Sequence, residues 1–295
     1  MMGSIFDPQY WNLIWQEHDQ SHRASEGEVG KEQGEIWNKK AKKFAADNLG
    51  KSGSKRCQQT LSFITQTMAL RPKMKVLDIG CGPGTFAIPL AQMGLEVTAL
   101  DPADQMLKQM TANLPADLPG KIIPVLGAWE ELDPEEKGWT EQFDLVFASM
   151  SPGIFNQQML EQMNACSKGW CFLSNFAGPR YSPLFDEFWQ EVFAAPLSNH
   201  RFDMVFAFNS LYMMGYSPYV SYYHVDSEKW AGRDEFTAEL SSLIKWSPMK
   251  LEKENLEDRI DQFLESRMVD GKIQQHWRYT VGMLLWNVNH LRKVI

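Results

Sequence analysis

The residues best suited to chemistry lie in a glycine-rich segment at positions 76–85, which reads VLDIGCGPGT. The segment follows a short apolar run and precedes a stretch with helical character. Glycines at a strand-to-helix turn let the backbone bend sharply and let a ligand approach the main chain closely. The following helix offers free N–H groups at its start. The segment therefore predicts a ligand-binding turn of the Rossmann type.

Two details of this turn restrict the ligand. A dinucleotide fingerprint would need glycine at positions 80, 82 and 85, but Thr85 stands at the third position and the glycine falls at 84. Asp78 precedes the first glycine by two residues, where a carboxylate would repel a pyrophosphate and attract a cation. The expected ligand therefore carries positive charge and no phosphate.

The pattern Asp78-x-Gly80-x-Gly82-x-Gly84 resembles the glycine-rich motif of class I S-adenosylmethionine-dependent methyltransferases. S-adenosylmethionine carries a sulfonium and an ammonium group and no phosphate, which meets the condition above. The resemblance implies that this loop, with Cys81, lies along the methionine part of the cofactor. It is specific between about positions 73 and 176 and looser on either side.

The resemblance also implies cofactor contacts at the ends of the next elements. Asp101 ends the second strand, where the family has an acid that binds both ribose hydroxyls, a task that suits a carboxylate. Pro102 and Met106 follow, with Met106 near the adenine. Ala128 and Trp129 occupy the adenine-contacting turn. The family commonly has Asp at position 128, so a backbone group or Trp129 is expected to replace that contact.

Two more cofactor-binding residues are expected from the same resemblance. Ser149 ends a fourth strand whose end faces the transferred methyl group, and Trp37 lies on a helix that resembles a cap closing over the cofactor. No catalytic base is assigned. His200, His224 and Tyr222 are candidates, although a lone histidine is more often structural. A base is needed only if the accepting atom is protonated.

The order of elements predicts the fold. Apolar runs alternate with helical segments, which indicates βαβ units and a parallel sheet; the strands are placed at 75–79, 95–100, 121–126, 143–149 and 169–175. Further strands are placed at 219–225 and 276–288, and the resemblance implies that the last one is inserted antiparallel between strands five and six. The predicted fold class is α/β, a Rossmann-like, mostly parallel seven-stranded sheet with helices on both faces.

The predicted domain organisation has two parts. Residues 1–72 form an N-terminal helical cap, and residues 73–295 form the Rossmann-like methyltransferase domain. Within it, residues 181–218 form an aromatic-rich helical insertion after strand five, either a mobile substrate lid or a fixed cap packed on the sheet.

Composition bears on partners and location. The chain has 295 residues, with 37 acidic against 29 basic side chains and a formal net charge of −8. This balance argues against a nucleic-acid or anionic-membrane partner, since phosphates are neutralised by clustered Lys and Arg. No signal peptide and no apolar stretch near the roughly 18 residues of a membrane span is evident. A cytoplasmic protein is expected. Its cysteines are expected to be free and mostly buried, with no metal site.

A small-molecule acceptor is predicted from the acidic charge, the aromatic insertion and the absence of an Asn/Asp-Pro-Pro-aromatic motif after the fourth strand. Three alternatives stay open. A methyltransferase acting on RNA or protein would use the basic helix at 39–43 as a docking patch. A non-catalytic protein would bind the cofactor without transferring a methyl group. An NAD-dependent oxidoreductase would share the fold, but Thr85 and Asp78 speak against it.

Overall fold

The computed structural model of the protein describes residues 5, 7–26, 31–195, 197, 203–245 and 253–292. His200, one of the candidate bases, lies outside these residues. So does a part of the insertion predicted at 181–218.

One seven-stranded sheet organises the fold, in the order β3-β2-β1-β4-β5-β7-β6. The first five strands run parallel, and β7 runs antiparallel to both β5 and β6. The predicted Rossmann-like sheet and its antiparallel insertion between strands five and six are thus confirmed. The strands are β1 Lys75–Ile79, β2 Glu96–Asp101, β3 Lys121–Leu126, β4 Phe143–Ser149, β5 Ser167–Phe176, β6 Tyr219–Gly232 and β7 Lys272–Asn287.

Helices cover both faces of the sheet, as predicted. One apolar cluster joins α3, α4 and α5 to one face, and a second joins α1, α6 and α8 to the other. A 3-10 turn at Trp129–Glu131 follows β3. The helices are α1 Pro8–Glu26, α2 Lys31–Asn48, α3 Lys51–Thr67, α4 Ala87–Gln92, α5 Asp104–Ala112, α6 Gln157–Cys166, α7 Pro183–Phe193, α8 Asp203–Met213, α9 Arg233–Lys245 and α10 Lys253–Glu265.

Strand β4 shows why its sequence is apolar at consecutive positions. Leu145 and Phe147 pack into the cluster on one face, and Val146 and Ala148 into the cluster on the other. A strand covered on both faces needs no polar alternation. The Phe147 ring stacks on Phe172 of β5, with centroids 4.7 Å apart. This packing fixes the carboxyl end of β4, where Ser149 stands.

A third apolar cluster lies beyond the main sheet core. It joins α7, α9 and α10 to the far end of the β6–β7 pair, with Phe185, Phe236 and Phe263 at its centre. Helix α8, in contrast, packs against α1 and the sheet. The described part of segment 181–218 therefore contributes to two separate clusters.

Strand β6 forms one edge of the sheet and exposes several side chains. Tyr222 and Trp230 are 56% and 53% exposed. The charged residues Asp226, Glu228 and Lys229 lie between them. Among the helices within the described residues, none has both the length and the hydropathy to cross a bilayer.

Candidate functional site

A cleft opens at the carboxyl ends of β1, β2 and β4, under helix α2. Its empty volume is about 820 Å³, open mouth included, within the range typical of small-molecule sites. All but two of the predicted cofactor-binding residues line it. The predicted residues that line the cleft are Trp37, Asp78, Gly80, Cys81, Gly82, Asp101, Pro102, Met106, Trp129 and Ser149.

The glycine turn takes a backbone course that other residues rarely adopt. Gly80, Gly82 and Gly84 have φ of 71°, 55° and 89°. A Cβ at position 80 would overlap the hydroxyl of Ser151. At position 82 it would meet only Phe44, at 3.7 Å. Gly82 therefore presents bare main chain toward the cleft.

Gly84 and Ala128 are the two predicted residues that do not line the cleft, and both are packed against other parts of the protein. A Cβ at Gly84 would lie 2.7 Å from the Cγ of Met110, so this glycine allows α5 to pack close to the turn. Ala128 is buried, and its carbonyl accepts a hydrogen bond from the amide of Glu131 at 3.2 Å. The side chain of the next residue, Trp129, lines the cleft instead.

The carboxylate of Asp101 holds two loops together. Its Oδ2 accepts a hydrogen bond from the amide of Gly82 at 2.8 Å, and its Oδ1 accepts one from the amide of Ala103 at 2.9 Å. Burial raises the pKa of Asp101 to about 6, while these two amides lower it. Each carboxylate oxygen keeps a lone pair for a further donor. Asp101 therefore both shapes the turn and can accept hydroxyl groups of a ligand.

Asp78 is the most strongly perturbed acid of the cleft. It is 2% exposed, and its Oδ2 has no hydrogen-bond partner. Burial, followed by the charge of Asp101, raises its pKa to about 8, although the Ala87 amide and the Arg56 charge oppose this. A buried carboxyl oxygen without a partner is costly unless a ligand supplies one. The surroundings of Asp78 therefore favour a cationic ligand.

Helix α2 forms the roof of the cleft. The amide of Gln105 on α5 donates to the Oδ1 of Asn38 at 3.0 Å, which ties the two helices together. Trp37 and Phe44 meet edge to face, with centroids 5.2 Å apart, and pack with Met106. These apolar side chains make the cleft wall next to β2 suitable for a flat, apolar ring.

The carboxyl end of β4 closes the cleft on its other side. The hydroxyls of Ser149 and Ser174 are hydrogen-bonded at 2.9 Å. Met150 has a φ of 54°, an uncommon conformation for a residue with a side chain. Strained backbone of this kind is frequent at ligand sites. Residues 150–153 continue the lining.

Sequence reasoning missed several residues of the cleft. Phe86 and Arg56 line it, and neither was predicted to do so. Phe44 also lines the cleft. Its position could have been inferred from the sequence, since it follows Trp37 by seven positions and so lies on the same face of the helix. Nothing in the local sequence of Arg56 distinguishes it from a solvent-facing arginine of an amphipathic helix.

The two candidate bases within the described residues lie away from the cleft. Tyr222 is largely exposed on the β6 edge, and the Nδ1 of His224 is hydrogen-bonded to the Thr280 hydroxyl at 3.0 Å. Neither residue lines the cleft. Tyr222 and His224 therefore lie apart from the predicted cofactor-binding residues, which the fold brings together at the cleft.

The cysteines are free and buried, as predicted; they are Cys57, Cys81, Cys166 and Cys171. Burial raises the pKa of the Cys81 thiol well above its ordinary value, so it stays protonated. Within the described residues, no three His, Cys, Asp or Glu side chains are grouped as metal ligands.

These features fit S-adenosylmethionine. The unpartnered Oδ2 of Asp78 suits its ammonium group. The bare main chain at Gly82 leaves room for the methionine portion, and Asp101 retains acceptor capacity for the ribose hydroxyls. The apolar wall at Trp37 and Met106 suits the adenine.

Comparison with known proteins supports the same family. Residues 76–168 match the sequence model of a family described as a methyltransferase domain. An uncharacterised protein of Haemophilus influenzae is 26% identical over 264 residues, 86% of this chain and 90% of that protein. Two of the shorter matches, both to enzymes with named activities, are described next.

The first of these is a 23S rRNA (uracil(1939)-C(5))-methyltransferase of Shewanella sediminis, 39% identical over 16% of this chain and 10% of that enzyme. The second is the human mitochondrial ubiquinone biosynthesis O-methyltransferase, 36% identical over 26% of this chain and 20% of that enzyme. The chain thus matches only a small part of either enzyme. Residues 76–168 thus form part of a methyltransferase domain, and the glycine turn and the sheet order around them are those expected from the resemblance to class I S-adenosylmethionine-dependent methyltransferases.

Proposed function

We propose that this methyltransferase transfers the methyl group to a small-molecule acceptor bound within the cleft. The observation that carries the proposal is that elements on both sides of the reacting end line a single concave cleft. Residues 150–153 after β4 and the roof helix α2 line one cleft of about 820 Å³. An acceptor must reach the methyl group inside that volume, beside the cofactor, which favours a compact molecule over a large folded one.

The proposal assigns roles to the predicted cofactor residues. Asp78 pairs with the ammonium group, and Asp101 accepts the ribose hydroxyls. The main chain at Gly80 and Gly82 carries the methionine portion. Pro102, Met106 and Trp37 hold the adenine side, and Trp129 supplies the contact at the end of β3, with Cys81 and Ser149 packing at the methionine and methyl ends.

The cofactor supplies a methyl group that is already activated on a sulfonium sulfur. The protein's work is therefore alignment of the accepting atom and exclusion of water. The roof side chains Trp37 and Phe44 cover the cleft on one side, and the Ser149–Ser174 pair fixes the end of β4 on the other. The Ser149 hydroxyl can also accept or donate one hydrogen bond to the acceptor.

A second candidate function, methylation of RNA, is favoured by one feature of α2. Lys39, Lys40, Lys42 and Lys43 are all exposed on this helix, while its opposite face lines the cleft. A basic helix beside an active site could guide a phosphate backbone. Lys43 is already paired with Glu235 at 2.7 Å, which reduces the free charge.

Transfer of an isotopically labelled methyl group would separate these functions. The purified enzyme would be incubated with labelled S-adenosylmethionine and, separately, with low-molecular-mass, RNA and protein fractions of a cell extract. Label in the low-molecular-mass fraction, reduced with Asp101→Ala at limiting S-adenosylmethionine, is the expected result. Label in RNA, lost when the four α2 lysines are replaced by glutamine, would contradict the proposal and establish the second function.

A further inference from the structure

The roof helix α2 is held at two places along its length. In its first half, a Cβ on Gly34 would lie 2.7 Å from the carbonyl oxygen of Pro102, and Asn38 is hydrogen-bonded to the start of α5. In its second half, the Nζ of Lys43 forms an ion pair with the Oε1 of Glu235 on α9, at 2.7 Å. The first attachment joins α2 to the core of the domain, and the second joins it to the outer helices.

Glu235 belongs to a row of alternating charges. Its Oε1 also accepts a hydrogen bond from the Nζ of Lys229 on β6 at 3.0 Å, and Lys229 is paired in turn with Glu239, one turn further along α9. The hydrogen bonds from Lys43 and Lys229 hold the pKa of Glu235 below its ordinary value, although burial opposes them. Lys43 therefore meets a carboxylate that is ionised and already positioned, which reduces the entropy cost that makes most exposed ion pairs weak.

Helix α9 is a fixed partner for α2. Its residues Phe236 and Leu240 are fully buried in the third apolar cluster. Arg233, at its start, pairs with Asp261 of α10 at 2.6 Å. Because α9 is packed in this cluster, a movement of the second half of α2 away from the sheet would separate Lys43 from α9 and break their ion pair.

The second half of α2 also carries a side chain that stands over the glycine turn. Phe44, next to Lys43, lines the cleft, and its ring lies 3.7 Å from where a Cβ of Gly82 would stand. The methionine portion of the cofactor is assigned to the bare main chain at this position. Displacement of Phe44 would therefore open the part of the cleft through which that portion enters and leaves.

We propose that the Lys43–Glu235 pair is a latch that holds the roof closed and slows the exchange of S-adenosylmethionine and its product. When the latch opens, the second half of α2 lifts with Phe44, while the first half stays attached to α5. Entry and exit pass the same roof, so both rates scale with the fraction of protein in which the roof is open. The latch does not depend on which acceptor the enzyme methylates.

The test measures the rates of ligand exchange by stopped-flow tryptophan fluorescence, since Trp37 and Trp129 line the cleft. The probe is S-adenosylhomocysteine, which has no net charge, so added salt acts on the protein. The variants are Lys43→Gln, Glu235→Gln and the two combined. The matched control is Lys42→Gln, which removes the same charge from an exposed lysine of α2 outside the row of charges.

Lys43→Gln and Glu235→Gln are each expected to raise the association and dissociation rate constants together, by about two- to fivefold, the range for one exposed ion pair. Their ratio, Kd, should stay nearly the same, and Lys42→Gln should change neither rate. The combined variant should exchange no faster than Glu235→Gln alone, because both changes remove one interaction. Raising the salt concentration from about 0.05 M to about 0.5 M should speed exchange in the wild type and not in Lys43→Gln.

Two results would overturn the latch. One is an equal exchange rate in Lys43→Gln and Lys42→Gln. The other is a Lys43→Gln variant in which dissociation alone becomes faster, which is the behaviour of a residue that contacts the ligand. Lys43→Gln carries the test alone if Glu235→Gln fails to fold, since the Lys43 side chain is 64% exposed and its removal leaves the core intact.

Discussion

Binding of S-adenosylmethionine is expected to release a proton from Asp78. This acid is buried, and its pKa is raised to about 8, so the free protein carries it mostly as the neutral acid at pH 7. A cation next to Asp78 stabilises the ionised form and expels the proton. Two neighbouring charges affect the pKa of Asp78: Asp101 raises it and Arg56 lowers it.

The magnitude follows from that pKa of about 8. At pH 7 about nine-tenths of the Asp78 side chains carry a proton, so binding should release about 0.9 protons. Affinity for the cofactor should rise about tenfold between pH 6 and pH 7, because the ionised fraction rises by that factor. Above pH 8 the gain should end, since Asp78 is then largely ionised. Asp101, with its pKa of about 6, goes from half to mostly ionised between pH 6 and pH 7, so it changes the affinity by about twofold at most over that range.

Calorimetric titration in two buffers of different ionisation enthalpy measures this release directly. Asp78→Asn is the matched control, since asparagine has the shape of the protonated acid but cannot ionise. We expect it to show no proton release at this site and a weaker affinity that changes by no more than about twofold between pH 6 and pH 7. Wild-type binding that releases no proton and has a flat affinity over the same range would refute the reasoning.

Further predictions concern the turn and the roof. Asp101→Ala should weaken cofactor binding by about 1–3 kcal/mol in a calorimetric titration, and an unchanged affinity would remove Asp101 from the site. Gly80→Ala should lower the free energy of unfolding by at least about 1 kcal/mol in urea, because the new methyl group overlaps a serine hydroxyl. Gly138→Ala is the control, since it shares the positive φ but has no atom within 4 Å; equal losses would argue against the overlap. Trp37→Ala should weaken S-adenosylhomocysteine binding several-fold while Lys39→Ala does not, and equal effects would contradict a specific roof contact.

The pH dependence of stability has a definite sign as well. Asp78 and Asp101 have raised pKa values in the folded protein, so each contributes stability that is present at low pH and lost as pH rises through its folded pKa. For the free protein, the contribution of Asp78 should decline between about pH 4 and pH 8. Bound cofactor should remove this decline.

The central part of the fold could be predicted because its sequence signals are local. The turn is marked by glycines that must adopt positive φ, and β4 is marked by consecutive apolar residues buried on both faces. Three predicted strands, at 75–79, 121–126 and 143–149, have the bounds observed in the structure. Burial of both sheet faces leaves few alternatives for such segments.

The outer elements gave weaker signals. Strand β6 was predicted at 219–225 but continues to Gly232, through charged and exposed residues that carry no apolar alternation. Its extension is held by pairing with β7 and by the third apolar cluster, both of which depend on distant parts of the chain. Helix α9 was not predicted as a separate element, because its packing in the third apolar cluster also depends on distant parts of the chain.

The position of Arg56 in the cleft could not be predicted from the sequence either. Its ring contact is with Phe86, which stands just before α4 and is distant from α3 in the chain. Only folding brings Phe86 beneath the guanidinium. A single sequence shows the residue type but not this contact.

The β6 edge has a consequence for how the protein behaves at high concentration. A long edge strand with exposed Tyr222 and Trp230 is a template on which a strand of another molecule could pair. Asp226, Glu228 and Lys229 interrupt that template at its middle, since charges there oppose the dry contact that stacked strands require. Their replacement by neutral residues would be expected to promote aggregation at this edge without disturbing the cleft, which none of the three residues lines.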